Sequence, residues 1–265
     1  MKIFISVDIE GVTGSTVWDE TEKGKDLYDY FALQMTKEAK SACDGANAAG
    51  AIEIMVNDAH DSGRNIDHNL LPKNTKLVRG WSGGIYSMVQ ELDETYDALM
   101  FVGYHSAAGK DTNPLSHTMT TILDYVKING VIASEFLIHS YIAASLGVPV
   151  VFLSGDKGLC ESAKSLNENI VTVAVKEGKG NSTINIHPEL ALDLIEEGVK
   201  KALTQDKSKC SIELPKEFDV EIRYRNHKDA YKCSHYPGVI RIDDNTNNFK
   251  SNDYTEVLKM MNYLI

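Results

Sequence analysis

Lys2-Ile3-Phe4-Ile5-Ser6-Val7-Asp8-Ile9-Glu10-Gly11 decides how this chain folds. An apolar run ends in two carboxylates and a glycine, and it reads as a buried strand of a parallel sheet over Lys2 to Val7. Alternation along the strand sets Ser6, Asp8 and Glu10 on one side wherever the extended geometry persists. Two acids crowded at a strand end repel each other, so the pair calls for a cation, a proton or a basic partner.

The same design recurs downstream. His60 closes Ile54-Met55-Val56-Asn57-Asp58-Ala59-His60, His105 closes Met100-Phe101-Val102-Gly103-Tyr104-His105, and Glu135 follows the apolar stretch Val131-Ile132-Ala133. Ligands of parallel sheets bind at the carboxyl ends of the strands, so these residues are expected to meet at one sheet edge. Three carboxylates and two imidazoles suit one or two divalent ions. Taken singly, each has a plainer role: an Asp as a turn residue or cap, a His as a hydrogen-bonded structural group, Glu135 as a carboxylate favoured by a helix N-terminus. The joint pattern carries the metal reading.

The rest of the chain supplies the frame. Apolar positions at helical spacing predict a long helix over Leu27 to Ala48, closed by Gly50. Strands are expected at Ile52–Val56, Thr75–Val78, Ala98–Val102, Ile122–Ile128, Val131–Ala133, Val148–Leu153 and Ile170–Val175, with a short helix over Gly84–Leu92. Asn129-Gly130 is a hairpin turn signal, since both residues tolerate positive φ. Ser134 can cap a helix from Glu135 to about Leu146, and Ser154-Gly155-Asp156 reads as a loop. Beyond Pro188 come a helix (Glu189–Leu203), a charged linker, a strand (Val220–Tyr224), a helix near His227–Cys233, a strand (Val239–Ile242) and a final helix (Tyr254–Leu264). The expected class is α/β: a three-layer α/β/α catalytic domain with a mostly parallel sheet over residues 1–187, and a smaller α+β domain over 188–265 for oligomerisation or site closure.

The bulk numbers exclude several partners. The chain has 265 residues, 43% hydrophobic and 25% charged, an ordinary globular balance. A formal net charge of -11 argues against nucleic acid and anionic membrane surfaces. No apolar run approaches the roughly 20 residues of a membrane span, and the N-terminus meets Asp8 too soon for a signal peptide. Cys43, Cys160, Cys210 and Cys233 form no CxxC pair. A cytoplasmic protein with reduced thiols is expected.

Ser6-x-Asp8-x-Glu10-Gly11 resembles the SxDxEG signature of the D-aminopeptidases associated with bacterial dipeptide-transport operons. Asn57-Asp58-Ala59-His60, Gly103-Tyr104-His105, Ser116-His117-Thr118 and Gly130-Val131-x-x-Ser134-Glu135 resemble that family's later signatures. The resemblance runs over at least Lys2 to Pro188. It implies a two-zinc aminopeptidase acting on short peptides with an N-terminal D-residue. Asp8 would bridge both Zn2+ ions, Glu10 and His105 would complete one site, and His60 and Glu135 the other. His117 matches the family's catalytic histidine. The family also forms a ring-shaped decamer, which implies a homo-oligomer here.

The chemistry agrees with that implication. Two ions about 3.5–4 Å apart can activate a shared water and polarise an amide carbonyl. A peptide N-terminal amine could ligate one ion or pair with a carboxylate, favouring exopeptidase cleavage. His117 is expected to act as general acid or base, or to stabilise charge, rather than as a nucleophile. His139, four residues after Glu135, is either a support for it or a core histidine. Asp156 either borders the site or serves a turn, Asp58 and Asp61 flank His60, and Trp18 and Trp81 line a pocket or pack. Two other functions share these features: a different binuclear metallohydrolase (an amidase, deaminase or phosphohydrolase) and a non-catalytic peptide-binding protein. The absence of an evident Arg/Lys cluster near the ligands disfavours phosphoesters.

Overall fold

The computed structural model describes residues 1–265. Its first sheet has seven strands: β1 (Lys2–Val7), β2 (Glu53–Asp58), β3 (Thr75–Val78), β4 (Ala98–Tyr104), β7 (Val150–Asp156), β8 (Val171–Lys179) and β9 (Ser182–Asn185), in the order β3-β2-β1-β4-β7-β8-β9. All neighbours are parallel except the β8–β9 hairpin. A second, antiparallel sheet contains β5 (Leu123–Ile128), β6 (Val131–Ile132), β10 (Phe218–Tyr224), β11 (Ile240–Arg241) and β12 (Thr246–Ser251), in the order β11-β12-β10-β5-β6.

The helices are α1 (Tyr28–Ala48), α2 (Glu135–Ser145), α3 (Lys157–Leu166), α4 (Pro188–Thr204), α5 (His227–Cys233) and α6 (Tyr254–Leu264). Alternation along β1 explains the layering. Ile3, Ile5 and Val7 enter one core with α1 and α4, while Phe4 enters a second core with α2, α3, α6 and the antiparallel sheet. The mostly parallel sheet is thus covered by helices on both faces, as expected. On the expected strand register Ser6 and Asp8 follow Phe4 toward the second core, and Ser6 indeed bonds Tyr104 there.

Strand order places a topological switch between β1 and β4: strands β2 and β3 continue to one side, β7 and β8 to the other. Crevices open at such points, beyond the carboxyl ends of the strands. Two glycines let the chain cross there. A Cβ on Gly11 would collide with the Tyr104 carbonyl, and one on Gly103 (φ +70°) with the Asp8 carbonyl.

Several local expectations differ from the structure. The stretch Gly84–Leu92 holds only a 3-10 turn at Ser87–Val89, because Ser87 and Glu91 adopt positive φ and interrupt a helix. Ser154-Gly155-Asp156 is the end of β7, and Asp156 caps the unforeseen α3 by accepting from Leu159 N at 2.9 Å. Strand β12 was also missed, since its Thr-Asn-Asn start carries little strand preference and extends only by pairing with β10. Residues on both sides of position 187/188 build the second sheet, whereas every strand of the first precedes it. Strands β5 and β6 belong to the second sheet, while α4 packs on α1 against the first. No helix is long and apolar enough to cross a membrane.

Candidate metal centre

Asp8 and Glu10 follow β1, His60 follows β2, His105 follows β4, and Glu135 opens α2, capped by Ser134. Neighbouring strands end side by side, so these residues converge although up to 127 positions separate them in sequence. His60 Nδ1 lies 3.4 Å from Asp8 Oδ1 and 3.1 Å from Glu10 Oε2. His105 Nε2 lies 3.4 Å from Asp8 Oδ2 and 3.2 Å from Glu135 Oε2. Asp8 therefore turns one oxygen to each histidine. The Asp8, Glu10 and His105 donors also fall within 4.8 Å of one another, which puts Glu10 in reach of both sides. All five side chains are buried.

Each ring is oriented from behind by a backbone carbonyl. His60 Nε2 donates to Thr21 O at 2.8 Å, and His105 Nδ1 donates to Ser106 O at 3.0 Å. Those bonds engage the outer nitrogens and aim each inner nitrogen at carboxylate oxygens. An imidazole nitrogen facing a carboxylate needs a proton or a metal cation between them. Glu10 Oε2 and His105 Nε2 accordingly have no hydrogen-bond partner although buried. The separations are those that two ligands about 2.0–2.1 Å from one zinc ion would keep. The residues fit divalent metal, and a carbonyl behind the ring is the usual support for a metal-bound histidine.

The electrostatics say the same. Burial alone would lower the His60 pKa, but the Glu10 and Asp8 carboxylates outweigh it and hold it well above the ordinary value. His105 is pushed up to about 10: burial opposes, and Glu135 and Asp8 prevail. Asp8 is raised by burial and by the negative charge of Glu10. The cluster attracts positive charge strongly.

His117 lies against this group, its ligand atom within 4.8 Å of those of His105 and Glu135. Its ring stacks on that of His105 at 4.2 Å and 9°, and the edge of Trp18 contacts it at 5.3 Å. Nδ1 donates to Leu115 O at 2.9 Å, leaving Nε2 free, 3.6 Å from Glu135 Oε1. Burial and the neighbouring His105 hold its pKa below the ordinary value, so the ring is a neutral base at pH 7. Glu135 Oε1 is fixed by Met119 N at 2.6 Å.

The centre forms the floor of a cavity of about 710 Å³ whose wall includes Trp18, Thr21, Glu22, Asp61, Trp81 and Arg225. Asp61, Ser87 and Met119 line it with positive φ, and strained backbone of this kind gathers at functional sites.

Charged residues outside the ligand set hold the loops. Asp58 accepts from Asn65 N, Asn65 Nδ2 and Ile66 N, bracing the turn after His60. Asp156 accepts from Ser106 N and Oγ and from Asn113 Nδ2, bracing the chain after His105. The buried Lys176 donates to Glu10 O, Ser15 O and Ser15 Oγ, bracing the loop of Glu10. Lys176 escaped the sequence reading; a lysine closing the apolar run Val171–Val175 was the available signal. The Thr21, Ser106 and Leu115 carbonyls left no signal, being backbone atoms. His139 is a core histidine: Nδ1 donates to Glu135 O at 2.7 Å, and Nε2 accepts from Met88 N at 3.3 Å. Lys179 ends β8, and Gly180-Asn181 is the turn of the β8–β9 hairpin.

Comparison with known proteins agrees with this geometry. The sequence profile of the D-aminopeptidase family matches residues 1–263. A D-aminopeptidase of Bacillus subtilis (strain 168) is 31% identical over 266 residues, covering 98% of this chain and 95% of that protein. The solved structure of the Zn-dependent D-aminopeptidase DppA from Bacillus subtilis, described as a self-compartmentalizing protease, superposes with a TM-score of 0.92 at 28% identity. It matches over 100% of this chain and 96% of that one.

Proposed function

The chain belongs to the D-aminopeptidase family, and we propose that it removes an N-terminal D-residue from short peptides or amino-acid amides at a centre of two zinc ions. The observation that carries this reading is the pair of inner imidazole nitrogens, each held from behind by a backbone carbonyl and aimed at buried carboxylate oxygens 3.1 and 3.2 Å away. Asp8, Glu10, His60, His105 and Glu135 would hold the ions, Asp8 turning one oxygen toward each histidine. Bound zinc would supply Lewis acidity toward the amide carbonyl and lower the pKa of water in the site.

The protein's own groups do the rest. The Leu115 carbonyl holds the His117 ring in one tautomer, so Nε2 accepts a proton as the amide is attacked and returns it to the leaving amine. Trp18 and His105 sandwich the ring in place. The carboxylates on the floor and Glu22 and Asp61 on the wall favour a substrate with a free ammonium group. By its likeness to a self-compartmentalizing protease, the chain assembles into a ring, of ten subunits on the family pattern, and works in the cytoplasm.

The decisive experiment is zinc analysis of purified protein, coupled to turnover of D-alanine amide and L-alanine amide. The reading expects about two zinc ions per chain and faster turnover of the D-amide. Protein that holds no transition metal and gains no activity from any would overturn it.

A further inference from the structure

Arg225 is the single lysine or arginine on the cavity wall, among otherwise acidic, aromatic and hydroxyl groups. It follows β10, whose pairing with β5 shifts register between Arg223 and Tyr224. Irregularities of this kind re-aim the side chains beyond them. The backbone there is held firmly, Arg225 N donating to Ile122 O at 2.9 Å.

Two nearby arginines contrast. Arg223 Nη1 is engaged by Asp243 at 3.1 Å and Thr246 Oγ1 at 2.8 Å, and its Nε faces Asp124 at 3.5 Å. The Arg225 guanidinium makes no hydrogen bond within the protein. Its nearest acid is Asp124 at 3.8 Å, already shared with Arg223. Arg225 therefore presents a planar donor fork with no hydrogen bond and only that shared ion pair, on a cavity that otherwise favours cations.

We propose that Arg225 binds the free C-terminal carboxylate of the peptide substrate. The inference rests on the peptidase reading and deepens it by naming the substrate class: zwitterionic short peptides. A free dipeptide carries an ammonium group at one end and a carboxylate at the other, roughly 7 Å apart when extended. The acidic floor suits the first and a guanidinium the second, which carboxylates engage in bidentate fashion. Thr120 and Thr121, on the same cavity wall, offer hydroxyl donors to the same group. One charged contact at the far end thus sets both the register of the scissile bond and the preferred chain length.

The test uses zinc-loaded full-length protein and a matched pair of substrates, D-alanylglycine and D-alanylglycinamide. Wild type is expected to favour the free acid. Arg225→Ala should raise KM for D-alanylglycine by about 10–100-fold with little change in kcat, and leave D-alanylglycinamide kinetics unchanged. Arg225→Lys should recover part of the loss. Since the amide reports folding and zinc loading in each variant, an equal loss on both substrates, or no change on the free acid, overturns the assignment while the peptidase reading stands. A wild-type enzyme that cleaves neither substrate overturns both.

Discussion

Two sets of buried charged residues lie within one edge of the parallel sheet, and they behave in opposite ways. Asp58 and Asp156 end strands as Asp8 and His60 do, yet each is saturated by backbone and side-chain donors. Asp8, Glu10 and His105 face one another with donors and acceptors left over. Position at a strand end therefore does not separate structural from functional charge. What separates them is whether the protein itself completes the hydrogen bonding. The braced set holds the loops so that the other set turns its nitrogens and oxygens toward a common centre.

The sharpest test of this contrast is Asp8→Asn. It should lower kcat/KM by about 10³-fold or more and reduce bound zinc, while the thermal midpoint of chelator-treated protein stays level or rises, because one buried repulsion is gone. A chelator-treated variant that melts well below chelator-treated wild type would show that Asp8 braces the fold instead. Next in size, His117→Ala should keep its zinc and lose about 10²–10⁴-fold in kcat; near-wild-type kcat would remove His117 from the proton path. Asp156→Ala reverses the pattern. Stripping the acceptor from Ser106, Asn113 and the α3 cap should cost about 2–4 kcal/mol of stability, read by denaturant unfolding. Its zinc stoichiometry in the folded protein should stay normal.

The smallest effect concerns Glu38, buried beneath the Glu10 loop. It accepts from Thr13 N and Gln34 Nε2 at 3.0 Å each. Burial pushes its pKa up to about 7 from 4.5, against those hydrogen bonds and Lys176. A raised carboxyl pKa means that the folded state binds the proton more tightly than the unfolded state. Its contribution is full below about pH 4.5 and is lost as pH rises through about 7. Glu38→Gln lacks that dependence. The variant should therefore gain on wild type by about 1–3 kcal/mol between pH 5 and pH 8. A pH-independent difference between the two melting curves would mean that Glu38 is ionised throughout.

Most of the frame was legible in the chain because it rests on local pattern. The apolar runs before Asp8, His60 and His105 announced β1, β2 and β4, and Asn129-Gly130 announced the β5–β6 turn, with φ of 52° and 81°. The elements that escaped depend on partners. The Thr246–Ser251 strand has little preference of its own and forms by pairing with β10, and the packing of α4 on α1, β7 and β8 is a long-range contact that its own pattern does not specify. The second sheet accordingly draws strands from both sides of Pro188.

The sequence by itself determined which side chains can hold metal and that they end buried strands, because strand burial and alternation are written in residue type. Tertiary structure alone decided which nitrogen of each histidine faces inward, since backbone carbonyls of Thr21, Ser106 and Leu115 choose it. It also decided that Arg225 reaches the cavity from a second sheet whose strands come from both halves of the chain. Such contacts are set by strand order and loop crossing, which no short stretch of residues encodes.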